Sequence, residues 1–141
     1  MKEKDMQTLW GKYLKTHRTD KTEVYELKIV KQTSMPFSRV NEHQIVALNQ
    51  ARKGNFYYKI SDTGFPTAQD SLMRFTPQKP FDCMNIFKAD AYVVIWFYKP
   101  RQKKKFILIG VRSFVEEVCS SDRKSLTEER AREIATKVIG L

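Results

Sequence analysis

Strand-forming residues Thr22 to Val30 carry Glu26 and Lys28 two positions apart, so both side chains leave the strand on the same face. A carboxylate there can hold a divalent cation while an ammonium beside it positions or activates water, which is the chemistry of metal-assisted phosphodiester hydrolysis. The plain alternative is a solvated, ion-paired face. Two features weigh against it. Val24 and Val30 flank the charges, and Tyr25, Leu27 and Ile29 make the other face apolar. Charges on a strand covered on both sides cost several kcal/mol unless a metal or partner compensates. Pro80-Phe81-Asp82 brings a second acid into an apolar strand. Asp82 either caps a turn or converges with Glu26 and Lys28 on one point if the two acids lie on neighbouring antiparallel strands. Glu3 and Asp5 on the first helix and Asp62 after the second strand are further acids; surface solvation is the simpler account of the first two and loop capping of the third.

Positioning these groups needs a sheet and covering helices. Met6, Leu9, Trp10, Tyr13 and Leu14 recur at helical spacing, predicting an amphipathic helix over 3–15. After a loop at Gln32 to Phe37, Ser38 is a candidate N-cap for a helix from Arg39 to Lys53, ended by Gly54. On it Gln44 shares a face with Ala47, Leu48 and Ala51. Asn55 to Ile60 reads as a second strand, which the crossover rule makes parallel to the first. Ser61 to Pro80 is a long polar stretch of the kind that is usually either functional or mobile. Phe81 to Phe87 and Ala91 to Tyr98 read as a hairpin turned at Lys88-Ala89-Asp90, the second strand apolar throughout and therefore central. Phe106 to Val111 is a further strand, followed by a short helix at Phe114 to Val118. A terminal helix begins near Thr127, with Ser125 and Glu128 in capping-box spacing.

The chain has 141 residues, 26 Lys+Arg against 16 Asp+Glu, and a net charge of +10. One basic α/β domain is expected, and the charge favours polyanionic partners. With 41% hydrophobic residues, whole-chain disorder is excluded. The longest apolar run, Ala91 to Tyr98, is far shorter than the roughly 20 residues of a membrane span. The polar N-terminus predicts a cytoplasmic protein. Cys83 and Cys119 form no metal-binding spacing with His17 or His43, so a zinc site is not expected and buried free thiols are.

Glu26-Leu-Lys28, Ser34-Met-Pro-Phe37 and Glu42-His-Gln44-Ile-x-Ala-Leu48, taken in order, resemble the core of RecU-type Holliday junction resolvases and related phage enzymes of the PD-(D/E)xK nuclease superfamily. Phe106 to Ile109, Phe114 and Arg123 to Leu126 are similar to the C-terminal part of that family. The resemblance implies a restriction-endonuclease-like mixed sheet of about five strands flanked by helices. It implies a magnesium-dependent endonuclease, with manganese able to substitute, that resolves four-way junctions by paired nicks in a bacterial or phage-infected cell. Glu26 would ligate the metal together with the backbone carbonyl of Leu27, Lys28 would position or activate water, and Gln44 would support the site. In that family the first aspartate precedes the E-x-K strand, where Asp20 is the candidate here. Asp82 is preferred, as in a circularly permuted core, with Glu3 as a possible additional ligand by position. The symmetry of a four-way junction implies a homodimer. DNA contact is assigned to Lys31, Arg39, Arg52, Lys53, Lys99, Arg101, Lys103, Lys104, Lys105, Arg123 and Lys124. A non-catalytic nucleic-acid-binding module, with Trp10, Tyr57 or Tyr58 as stacking surfaces, and a protein-interaction subunit are the competing readings.

Overall fold

The computed structural model describes residues 2–17, 19–54, 56–59 and 83–141. Helix α1 (Glu3–Thr16) leads into β1 (Glu23–Val30), β2 (Ser34–Pro36) and, after a 3-10 turn at Phe37–Arg39, helix α2 (Glu42–Lys53). Strands β3 (Phe56–Lys59), β4 (Cys83–Ile86), β5 (Asp90–Phe97) and β6 (Lys105–Gly110) follow, then α3 (Val111–Ser120), β7 (Ser125–Thr127), α4 (Glu128–Glu133) and β8 (Lys137–Gly140).

The main sheet has four strands in the order β1-β5-β6-β8. β1 and β5 are parallel, with Glu26 opposite Val93 and Lys28 opposite Ile95. β6 runs antiparallel to both β5 and β8. The expected parallel partner of β1 was the strand after α2; β3 instead pairs antiparallel with β4 in a separate ribbon. The expected hairpin between 81–87 and 91–98 is likewise absent, because β4 takes β3 as its partner. Composition explains the exchange. β5 is apolar on both faces and satisfies itself only in the sheet interior, between β1 and β6. The crossover containing α2 therefore delivers the chain to β5 rather than to β3.

Side-chain alternation divides the core into two layers. Val30, Val93, Ile95, Ile107 and Ile109 pack with α2, α3 and α4 through Leu48, Phe114 and Ala131. Ile29, Val94, Trp96, Phe106 and Leu108 pack on the opposite face with Met6 and Trp10 of α1. Burying each of the larger side chains contributes about 1.5–3 kcal/mol. The result is an α/β domain with a mixed sheet between helices. A β2–β7 ribbon pairs Met35 with Leu126 and ties the end of β1 to α4.

Local boundaries differ from the sequence expectation where polar side chains act as caps. α2 starts at Glu42, not Arg39, with Asn41 as N-cap. Thr127 Oγ1 caps α4 by accepting from Arg130 N, so Ser125 lies in β7 instead of capping. Helix α3 is longer than expected, and β2, β7 and β8 were not foreseen. Three-residue strands such as β2 and β7 carry too little periodicity to be read. Cys83 is half-buried and Cys119 exposed, both free, so neither is the buried thiol expected. No helix among the described residues is long and apolar enough to cross a membrane.

Candidate active site on strand β1

The inner face of β1 brings together three of the four residues expected to be catalytic. Lys28 Nζ lies 2.9 Å from Glu26 Oε1, and the two side chains are 10% and 24% exposed. Gln44 Nε2 donates to the same Glu26 oxygen at 2.8 Å. The orientation of Gln44 follows from the start of its helix. It is the third residue of α2, and its Oε1 accepts from the backbone N–H of Asn41 at 2.9 Å, which is the return half of a capping box. With the carbonyl end of the amide fixed on the helix N-terminus, the NH2 end points at Glu26. An uncharged polar residue on the packed side of α2 thus has a definite partner 18 residues away in sequence.

Asp82 and Asp62, together with the segment from Ser61 to Pro80, lie outside the described residues. Leu27 directs its side chain to the α1 layer, between Glu26 and Lys28 in sequence. Asp20 is exposed in an irregular segment, and no strand precedes β1 among the described residues. Glu3 lines a groove at the carboxyl end of β1 with Lys31 and Arg39, and no hydrogen bond or ion pair among the described residues joins it to Glu26. Asp5 instead closes the first turn of its own helix by accepting from Lys2 N at 2.7 Å.

The donor set suits magnesium in kind and is small in number. Glu26 supplies a hard oxygen ligand of the type this ion takes. Among the described residues no group of three or more His, Cys, Asp or Glu side chains is positioned to hold a metal. The strand that follows Asp82, β4, pairs with β3 while β1 pairs with β5, so the strand pairing expected to bring Asp82 beside Glu26 is not found among the described residues.

The basic residues divide between two ends of the molecule. Lys31 follows β1 and Lys99 follows β5 at the shared carboxyl end of these parallel strands, where Tyr98 N donates to Val30 O at 2.7 Å. Lys99, Lys103 and Lys105 line a hollow with Arg132 and Glu128. Lys104 O accepts from Leu141 N, and Lys124 O from Phe37 N, placing both residues at this end too. Arg101 and Arg123 are exposed on the adjoining turns. Arg39 Nη1 donates to Ile29 O at 2.8 Å, so part of its role is to hold the end of β1. Arg52 and Lys53 sit at the other end, beside the turn where Ala89 N donates to Ala51 O. The assigned DNA-contacting residues are therefore not one continuous patch.

Two acids missed in the sequence organise this surface. Burial pushes the Glu128 carboxyl up, but hydrogen bonds from Lys99 and Arg132 outweigh it and hold the group below its ordinary value. Glu117, buried on α3, accepts from Arg130 Nε at 3.0 Å and Nη2 at 2.8 Å, and that bidentate pairing lowers its pKa despite burial. The sequence distinguished Glu117 from its neighbour Glu116 by nothing that pointed to a partner 13 residues on. Of the proposed stacking residues, Trp10 is buried at 3% exposure and presents no stacking face to solvent, whereas Tyr57 is 61% exposed. The Tyr58 side chain is outside the described set.

No family model matches the chain, and neither curated proteins nor solved structures give a match.

Proposed function

We propose that the chain is a magnesium-dependent, structure-selective DNA endonuclease that resolves four-way junctions, a homodimeric member of the PD-(D/E)xK nucleases with a restriction-endonuclease-like fold. The observation that carries this reading is the Glu26–Lys28–Gln44 cluster. A carboxylate and an ammonium are held 2.9 Å apart on a strand covered by a helix, with the amide of that helix aimed at the carboxylate. A purely structural strand gains little from such a cluster, since an apolar trio of similar volume fills a covered face at equal or lower free energy.

Glu26 and Asp82 are the proposed metal-holding residues. Magnesium supplies neutralisation of the charge that develops on the phosphate oxygens. Lys28 orients the attacking water and keeps a positive charge beside the phosphate. Gln44 fixes the rotamer of Glu26, so that the carboxylate is already aimed when substrate arrives. The basic rim at the carboxyl ends of β1 and β5 holds the DNA backbone through phosphate contacts.

A second reading, a nucleic-acid-binding module without cleavage, draws on the same geometry: Glu26 already spends one oxygen on two protein partners. Labelled four-way junction, linear duplex and single strand, incubated with magnesium, manganese or chelator, separate the two. Symmetric nicks in the junction alone, lost with chelator and in Glu26→Gln and Asp82→Asn while binding persists, are the expected result. Junction binding without cutting in either metal establishes the second reading.

A further inference from the structure

The opposite face of β1 carries a feature the nuclease reading does not use. Among the described residues one helix, α1, covers that face of a four-stranded sheet, and at the amino end of β1 they leave the cover incomplete. A cavity of about 400 Å³ opens there, a size typical of small-ligand sites. Its walls are aromatic planes. On α1, Trp10, Tyr13 and His17 follow one another at helical spacing. Tyr13 stacks on Trp10 at 5.2 Å with planes 26° apart, and on His17 at 4.2 Å and 15°. On the sheet, Tyr25 and Tyr92 are register partners on β1 and β5, and their rings stack at 6.0 Å and 22°. Tyr13, Tyr25 and Tyr92 are each only half-buried, so part of each ring remains open to solvent.

The polar groups around these planes have a definite chemistry. Glu23 accepts from the Tyr25 hydroxyl at 2.5 Å and from Thr19 at 3.2 Å, which fixes a carboxylate acceptor on the wall. Burial, reinforced by that hydrogen bond, pushes the Tyr25 hydroxyl well above its ordinary pKa and keeps it a neutral donor. Trp10, also on the wall, has a buried indole N–H with no hydrogen-bond partner among the described residues, at a cost of about 1–3 kcal/mol. Lys137 stands on the lining beside these aromatic residues. Flat apolar walls, an acceptor carboxylate and an adjacent ammonium match a planar heteroaromatic ring that carries N–H donors and a phosphate. An organic cation suits the site less well, because Lys137 and the net charge of +10 both repel it.

We propose that this cavity receives one unstacked nucleobase of a bound nucleic-acid strand, with its ring against the open parts of the Tyr25 and Tyr92 rings and the edge of Tyr13, and its phosphate beside Lys137. The inference rests on the nucleic-acid-binding part of the reading above, and not on cleavage. It gives the protein a preference for substrates with an unpaired base, since such a base costs least to unstack. Base-on-aromatic stacking is sequence-tolerant, so the preference is for structure rather than sequence.

The test uses the full chain, a single strand and a duplex each carrying 2-aminopurine, and free deoxyadenosine monophosphate, all at one ionic strength in chelator. The wild type should bind the single strand more tightly than the duplex and quench 2-aminopurine emission. Tyr92→Leu, which keeps apolar volume but removes the aromatic face, should weaken single-strand binding about tenfold to a hundredfold and restore the emission. Circular dichroism checks folding, and Tyr13→Leu, on the helix surface, makes the same test if Tyr92→Leu does not fold. Unchanged affinity and quenching in a folded variant overturn the proposal and leave nucleic-acid binding by the basic rim standing. Tight binding of the free mononucleotide without strand binding overturns it in favour of a nucleotide site. Failure of the wild type to bind any nucleic acid overturns both readings. Tyrosine-dependent quenching in a protein that cuts nothing upholds this inference while removing the nuclease.

Discussion

Removing the carboxylate alone from the β1 cluster should cost far more than removing both charges. Lys28 and Glu26 are 10% and 24% exposed as side chains and 2.9 Å apart. At the effective dielectric of about 20 suited to such sites, two unit charges at that distance attract by roughly 6 kcal/mol. Their desolvation offsets most of this. Glu26→Gln keeps the shape and a hydrogen-bonding group for Gln44, but it strands the more deeply buried ammonium. Full burial would make that loss about 3–5 kcal/mol; partial water access reduces it to about 2–4 kcal/mol. Lys28→Met leaves Glu26 with its Gln44 hydrogen bond and more water, so about 1–2 kcal/mol is expected. The double variant Glu26→Gln/Lys28→Met should return to within about 1 kcal/mol of the wild type, because an apolar replacement of a buried pair is often neutral. Urea unfolding at constant slope measures all three against a total stability of about 5–15 kcal/mol. Cleavage should be absent in every one. A double variant no more stable than Glu26→Gln, or a Lys28→Met loss exceeding that of Glu26→Gln, refutes the view that the pair is a desolvated ion pair held under α2. A double variant that regains stability and still cuts refutes the assignment of Glu26 and Lys28 to the chemistry.

The Glu117 carboxyl is lowered in the folded state, so its contribution is present above the ordinary carboxylate range and disappears as pH falls through the lowered folded value. Thermal melts of Glu117→Gln should therefore show a weaker loss of stability between pH 5 and 3 than the wild type, at about that range for carboxylates; parallel curves would refute the pairing with Arg130. Replacing Lys103 and Lys105 by Ala should reduce the slope of log affinity against log salt by about 0.9 per lost phosphate contact on duplex DNA. Arg52→Ala/Lys53→Ala, at the opposite end, should leave that slope unchanged, and an equal fall in both would place DNA elsewhere. Gly54 ends α2 at φ +87°, where a Cβ would stand 3.0 Å from a Phe87 ring carbon, so Gly54→Ala should destabilise by more than about 1 kcal/mol in the same urea assay.

Much of this molecule was legible from residue types taken over short distances. The alternation of β1 separated Glu26 and Lys28 from Tyr25, Leu27 and Ile29, and the structure places these sets on opposite faces of the sheet. The uninterrupted apolar run of β5 marked it as central, and it lies between β1 and β6. Gln44 was visible on the packed side of α2, although its hydrogen bond to Glu26 was not. Each of these is a local statement, because strand alternation and helix periodicity are properties of consecutive residues.

Pairing between distant segments was a different matter. β1 could have taken β3 or β5 as its parallel neighbour, and the outcome depended on which strand most needed both faces covered, a comparison across the whole chain. The same holds for Arg130 closing on Glu117 and for Lys99 on Glu128, where charged residues on separate elements met only once those elements had packed. The aromatic cavity is the clearest instance. Tyr13, Tyr25 and Tyr92 look unremarkable as individual residues, and they become one surface because parallel register sets Tyr25 beside Tyr92 and α1 lies across the same face. A single chain carries its periodicities openly. Its contacts between remote segments emerge from competition for burial, which is settled only when all the elements are packed together.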